Sequence, residues 1–232
     1  MRASLNKKYA SVVQVTVFVL CISSVCVAGV VEFTDQDTFT KACSREYFID
    51  FESYGDGTPV PPGDVPIDGD EWLNLGIQFA GMEAGDSLIL SEKAGMAVSP
   101  THALATRNPS NRCSSLITFL TPVDCFGLYI VDNETGGPNS STERITLKDE
   151  NGNVIRDFPM PGGRGPAPPL PFAHDFRGYL STIPIAQVEI IEDSDGEGTF
   201  LEDVMYCPVP EPATLLLLGL AGLTLLGKRK AV

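Results

Sequence analysis

Histidine and tryptophan are almost missing from this chain of 232 residues, which has two of the first and one of the second. Neither His102 nor His174 stands in a G-x-S-x-G or H-E-x-x-H setting, so the sequence marks no nucleophile and base pair and no zinc-protease helix. Six cysteines are present, but no two have C-x-x-C spacing, so a zinc or thioredoxin-type reading has little support, and disulfides or buried thiols are what remain. The glycine pairs Gly55/Gly57, Gly163/Gly165 and Gly196/Gly198 never extend to G-x-G-x-x-G or to Gly-Lys-Ser/Thr, so no phosphate-binding loop is present. Positive charge is scarce in the middle of the chain. Six of the sixteen basic residues (Arg2, Lys7, Lys8, Lys228, Arg229 and Lys230) sit in the terminal segments, leaving ten against thirty acidic residues between Glu32 and Glu211. A surface this acidic repels polyanions, which excludes nucleic acid and anionic lipid as partners held by phosphate neutralisation. Cations are the ionic partners it suits. Thirty carboxylates also make any one pair uninformative as a glycosidase site.

What is present is most legible at the two ends. Arg2, Lys7 and Lys8 precede an uncharged stretch over residues 10–27, which is followed by Ala28. This is the order of a signal peptide, with cleavage expected between Ala28 and Gly29. Val25 before Cys26 and Leu20 before Cys21 are wrong for a lipoprotein signal, so lipidation is not expected. Export leaves Cys43, Cys113, Cys125 and Cys207, an even number that permits two disulfides in any of three pairings. At the other end Val209-Pro210-Glu211-Pro212 is followed by an apolar run over 213–227 and by Lys228, Arg229 and Lys230. As a helix that run would be about 22 Å long against a hydrocarbon core of about 30 Å, a short transmembrane anchor with its basic end in the cytoplasm. The organisation expected is a signal peptide over 1–28, one ectodomain over 29–207 and a sorting segment over 208–232.

Between the ends, Thr34-Asp35 is placed to cap a helix over 36–42 with Phe39 turned inward. Strand-like runs then recur at 47–52, 76–80, 87–90, 115–120, 126–131, 144–149, 154–158, 186–191 and 199–206. Asn151-Gly152 between two such runs is a hairpin signal, because a tight turn needs the positive φ that glycine supplies. Residues 56–70 and 159–171 are rich in proline and glycine and read as surface loops. The fold class expected is all-β, an antiparallel β-sandwich of jelly-roll type.

The segment Val209 to Lys230 resembles the PEP-CTERM sorting signal of Gram-negative bacteria that make exopolysaccharide. That resemblance implies recognition of Pro210-Glu211-Pro212 by an exosortase at the inner membrane, removal of the apolar tail, and transfer or release at the surface. The two prolines keep the motif extended for the enzyme. The runs Ile49-Asp50-Phe51-Glu52, Leu75-Gly76-Ile77-Gln78-Phe79 and Leu201-Glu202-Asp203-Val204 look like those of β-sandwich ectodomains in such proteins, a fold related to carbohydrate-binding modules. The function expected is therefore an exported, non-catalytic cell-surface or matrix protein that meets signal peptidase and exosortase and binds exopolysaccharide. A secreted hydrolase and a coat protein without ligand are the alternatives.

Candidate site residues follow from side-chain chemistry. Trp72, with Tyr54 near it in sequence, either stacks on a sugar ring or caps the sandwich core. Glu192, Asp193, Asp195 and Glu197 crowd one glycine turn, which is either a Ca²⁺ site or a solvated acidic loop. In a jelly roll the first and last strands lie side by side, so 47–52 should pair with 199–206. That pairing brings Cys43 towards Cys207, for which a disulfide is expected, and Glu52 towards Glu202 and Asp203. Those carboxylates need either a structural Ca²⁺ at Glu52 and Asp203 or hydrogen-bond donors between them.

Overall fold

The computed structural model describes residues 29–43, 47–92, 101–107, 114–132, 144–160, 173–191 and 199–209. The elements are β1 (Val30–Phe33), α1 (Gln36–Ala42), β2 (Tyr47–Ile49), β3 (Val65–Ile67), a 3₁₀ turn (Leu73–Leu75), β4 (Ile77–Gly81), β5 (Ser87–Ser91), β6 (Ala103–Arg107), β7 (Ser115–Asp132), β8 (Arg144–Lys148), β9 (Val154–Pro159), β10 (Ala173–Ile191) and β11 (Thr199–Pro208). Every pairing is antiparallel. The expected all-β sandwich is what forms.

The two layers share two long strands. Residues 115–119 of β7 pair with β4 and with the second half of β10, which continues to β8 and β9. Residues 123–132 of β7 pair with the first half of β10 and with β11, and that layer continues on one side to β1 and on the other through β6 and β5 to β3. Both long strands carry a proline where they cross, Pro122 in β7 and Pro184 in β10. Proline has no N–H to give, and the register between the two strands breaks between Leu180 and Gln187. The strands expected at 115–120 and 126–131 are thus halves of one strand, and Thr121-Pro122 is a crossing between layers, not a hairpin turn.

Alternation places Ile77, Phe79, Ile117, Val188 and Ile190 of one layer against Phe126, Leu128, Leu201 and Tyr206 of the other, in one buried core. The Asn151-Gly152 turn forms as expected, with Gly152 at φ 77° and the Asp149 carboxylate accepting from the N–H groups of Asn151 and Asn153. Three strands were not expected: β1, β6 and β3, the last inside the segment read as a loop. In β3, Pro66 is tolerated because the strand pairs only with β5 and lies at the sheet edge. The first half of β10 also went unread, since Phe176, Tyr179 and Leu180 bury on both of its faces and leave no alternation.

A second apolar cluster lies on the outer face of the layer that contains β1, under α1. Asp35 caps that helix, its carboxylate accepting from the Thr38 N–H at 2.8 Å. Phe39 then points down onto Gly127 and Gly178, which face each other in register on β7 and β10. A Cβ on Gly178 would come within 2.5 Å of the Phe39 ring, and one on Gly127 within 3.0 Å. The two glycines form the seat that docks the helix, and burying a phenylalanine there contributes about 1.5–3 kcal/mol. Gly178→Ala is therefore expected to destabilise the protein by roughly 1–3 kcal/mol through overpacking. Urea unfolding of Gly178→Ala alone and combined with Phe39→Leu checks this: the smaller ring should recover part of the loss, and strictly additive effects would mean that the glycine acts elsewhere.

Candidate functional site

Strand β11 changes its edge partner partway along. Phe200 and Leu201 lie opposite Ala105 and Leu104 of β6, whereas Val204, Met205 and Tyr206 lie opposite Ile49, Phe48 and Tyr47 of β2. The pairing of β2 with β11 is the one the sequence led us to expect. Between the two stretches the register with β7 slips, and Asp203 takes φ 47° while Phe51, just past β2, takes φ 60°. A left-handed phenylalanine costs of order 1–3 kcal/mol, so the surroundings must hold it.

Glu52 does so. Its carboxylate accepts from the Thr101 N–H at 2.9 Å and the His102 N–H at 2.7 Å, from the Thr101 hydroxyl, and meets His102 Nδ1 at 3.2 Å. Burial pushes the Glu52 carboxyl upward, but the Thr101 hydroxyl and the two N–H groups outweigh it and hold the pKa below the usual value of 4.5. Donors thus take up the oxygens of Glu52, one of the two ways in which its charge was expected to be met. Glu202 and Asp203 are buried nearby in the strand. Among the described residues no three cation-ligating groups converge at Glu52 or Asp203. Asp193 and Asp195 lie outside the described residues. The buried ring of His102 meets both Thr101 Oγ1, at 2.9 Å, and Glu52 through the same Nδ1. Through these bonds Glu52 clamps the segment after β2 to the start of β6.

Trp72 is 1% exposed. Its indole N–H donates to the Ser53 carbonyl at 3.1 Å, and its ring meets Phe51 and Phe79 edge-on at 5.3 and 5.5 Å. As a stacking platform for sugar it is ruled out. It is instead the cap of the core, with the half-buried Tyr54 beside it at 6.2 Å. Two rings of β2 reach solvent, Phe48 at 51% and Tyr47 at 47% exposed, and Tyr47 stacks on the buried Tyr206 at 5.3 Å with 15° between planes. One face of Tyr47 is held and the other is open. Tyr206 is itself fixed by its hydroxyl, which donates to the Leu75 carbonyl at 2.6 Å. Nothing local in the sequence marks Tyr47, because its partner comes from the last strand.

Cys43 and Cys207 do converge, but not as the expected disulfide. No disulfide joins them, and Cys125 packs with both in the cluster under α1. Cys125 lies directly opposite Cys207 in the ladder. Hydrogen bonding with Cys43, burial and hydrogen bonding with Cys207 all push its thiol pKa up. Cys113 lies outside the described residues. So do Ala28, Pro210, Glu211, Pro212, Lys228, Arg229 and Lys230, while Gly29 and Val209 are placed at the ends of the sandwich. The Val209 N–H donates to the Pro122 carbonyl at 3.0 Å, so the chain leaves the domain beside the crossing of the layers.

The clamp gives a pH-dependent expectation. A carboxyl whose pKa is lowered on folding adds stability above its unfolded value, about 4.5 here, and loses it as pH falls through the lower folded value. Glu52→Gln should cost roughly 1.5–3 kcal/mol at neutral pH, the range for hydrogen bonds to a charged group. Urea unfolding of both proteins should show that gap narrowing as pH falls well below 4.5. A gap that stays constant with pH would mean that Glu52 acts through shape alone.

No curated protein matches the chain significantly. Among solved structures, the CBM22-1 xylan-binding domain from Paenibacillus barcinonensis Xyn10C is 11% identical over 70% of this chain and 93% of that one, with a TM-score of 0.38. A carbohydrate-binding module of family 29 is 8% identical over 74% of this chain and 98% of that one, with a TM-score of 0.28. The likeness is one of all-β fold. Residues 208–230, following directly on β11, match the PEP-CTERM protein-sorting motif, and the chain carries that sorting signal behind its β-sandwich.

Proposed function

We propose that this protein is a non-catalytic surface protein whose sandwich binds exopolysaccharide through Tyr47. The observation that carries the reading is the sorting motif at residues 208–230, which implies export, exosortase processing and attachment at the cell envelope. A protein delivered there meets the polysaccharide made by the same cell. The strongly acidic middle of the chain suits a neutral glycan or one bridged by cations, and repels a polyanion.

Tyr47 supports the ligand side of the reading. A sugar ring packs its C–H face on an aromatic face, and an aromatic already stacked on a rigid neighbour loses little side-chain entropy on binding. Weak, multivalent binding to a repeating polymer needs no deep cavity.

Two experiments test the two halves separately. Glu211→Ala should block processing and retain the uncleaved protein at the inner membrane, as read by fractionation and immunoblotting. Efficient delivery of a trimmed Glu211→Ala protein would remove the motif from the account. For the ligand, Tyr47→Ala should lose at least about tenfold in retention on the host polysaccharide, equivalent to about 1.4 kcal/mol. Tyr47→Phe should keep it, and Phe48→Ala serves as the control on the same strand. Equal retention of all three variants would discard Tyr47 as the binding surface.

A further inference from the structure

The thiol cluster under α1 has no part in that function, yet its geometry is that of a donor set. Cys43 caps the C-terminus of α1, Cys125 lies on β7 and Cys207 on β11, and all three are buried with no disulfide joining them. Cys125 packs with both of the others in one buried cluster. A disulfide would use two of these sulfurs and strand the third against it.

A fourth donor arrives through a backbone irregularity. The register of β11 against β7 runs Cys207 to Cys125 and then Pro208 to Val123, which leaves Asp124 as the extra residue of a bulge. In a regular strand Asp124 would point away from the face that holds Cys125. A bulge re-aims its side chain. A carboxylate oxygen of Asp124 and the sulfurs of Cys125 and Cys207 consequently lie within 4.8 Å of one another. Among the described residues no other such group of three exists.

We infer that Cys125, Cys207 and Asp124 bind a thiophilic divalent cation, with Zn²⁺ as the best fit, and that Cys43, which lies outside that group of three but in the same buried cluster, closes in to complete the shell when the ion binds. Three thiolates and one carboxylate complete a tetrahedral shell, in which sulfurs about 2.3 Å from the metal stand roughly 3.8 Å apart. Ca²⁺ and Mg²⁺ take oxygen ligands and are excluded by the sulfurs. With all four positions filled by protein and the cysteines buried, the site would be structural. It would tie the end of α1 to β7 and β11, the clamping task first assigned to a disulfide.

The probe is Co²⁺, added to the full-length reduced protein after metal removal and then competed with Zn²⁺. One equivalent should give a thiolate-to-cobalt charge-transfer band in the near ultraviolet and the visible bands of tetrahedral cobalt, both abolished by Zn²⁺, together with a higher melting temperature. Cys43→Ser should cut the charge-transfer intensity by about a third, since one of three thiolates is lost. Asp124→Asn, with an unchanged far-ultraviolet circular dichroism spectrum, should weaken binding roughly 10-fold or more. Absence of the charge-transfer band would overturn the inference. So would non-reducing peptide mapping of the protein taken from its own cell envelope that found Cys125 bonded to Cys43 or Cys207.

Discussion

The pairing of β7 with β10 along nearly their whole length is the constraint on which the rest of the structure depends. Both strands must pass from one layer to the other at the same level, and Pro122 and Pro184 make that possible by withholding two ladder N–H groups where the sheet has to bend. Ser181 stabilises the bend from one side, its hydroxyl donating to the Ile183 carbonyl at 2.7 Å and accepting from the Ile183 N–H at 3.1 Å. Once the pair is set, each layer grows outward from it: β4, β8 and β9 on one side, β1, β11, β6, β5 and β3 on the other. The glycines that seat Phe39, the bulge that turns Asp124 and the point where the chain departs at Val209 are all positions on or beside these two strands.

How far the sequence reveals this depends on how local the signal is. The Asp35 cap, the Asn151-Gly152 turn and the alternating strands β4, β8 and β9 are decided within a few residues, and each formed as read. The pairing of β2 with β11 was also legible, because jelly-roll topology fixes it once the strands are known. What stayed hidden depends on partners far along the chain. The first half of β10 has apolar residues on both faces because α1 covers the outer one, and that erases the period-2 pattern. In the sequence Trp72 reads as a core cap or a sugar platform, with the cap the commoner role, and Phe51, Phe79 and the Ser53 carbonyl enclose it in the core. Tyr47 and Cys125 carried no signal at all, since one owes its role to Tyr206 and the other to Cys43 and Cys207.

The sandwich and the sorting segment divide the work. Strain and burial are concentrated where β11 exchanges β6 for β2, with Phe51 and Asp203 in left-handed conformations and Glu52 holding the two edges together. That junction secures the last strand, whose end meets the sorting motif that starts at residue 208. The exposed ring of Tyr47 lies on the same short strand β2, which is braced by the strand that leads into the sorting signal.

Hydroxyl-radical footprinting of the processed protein, with and without the host exopolysaccharide, bears most directly on this account. Protection at Tyr47, with the exposed Val31 and Val154 unchanged, is the result the account requires. Protection at Val31 or Val154 with Tyr47 still fully reactive would contradict it.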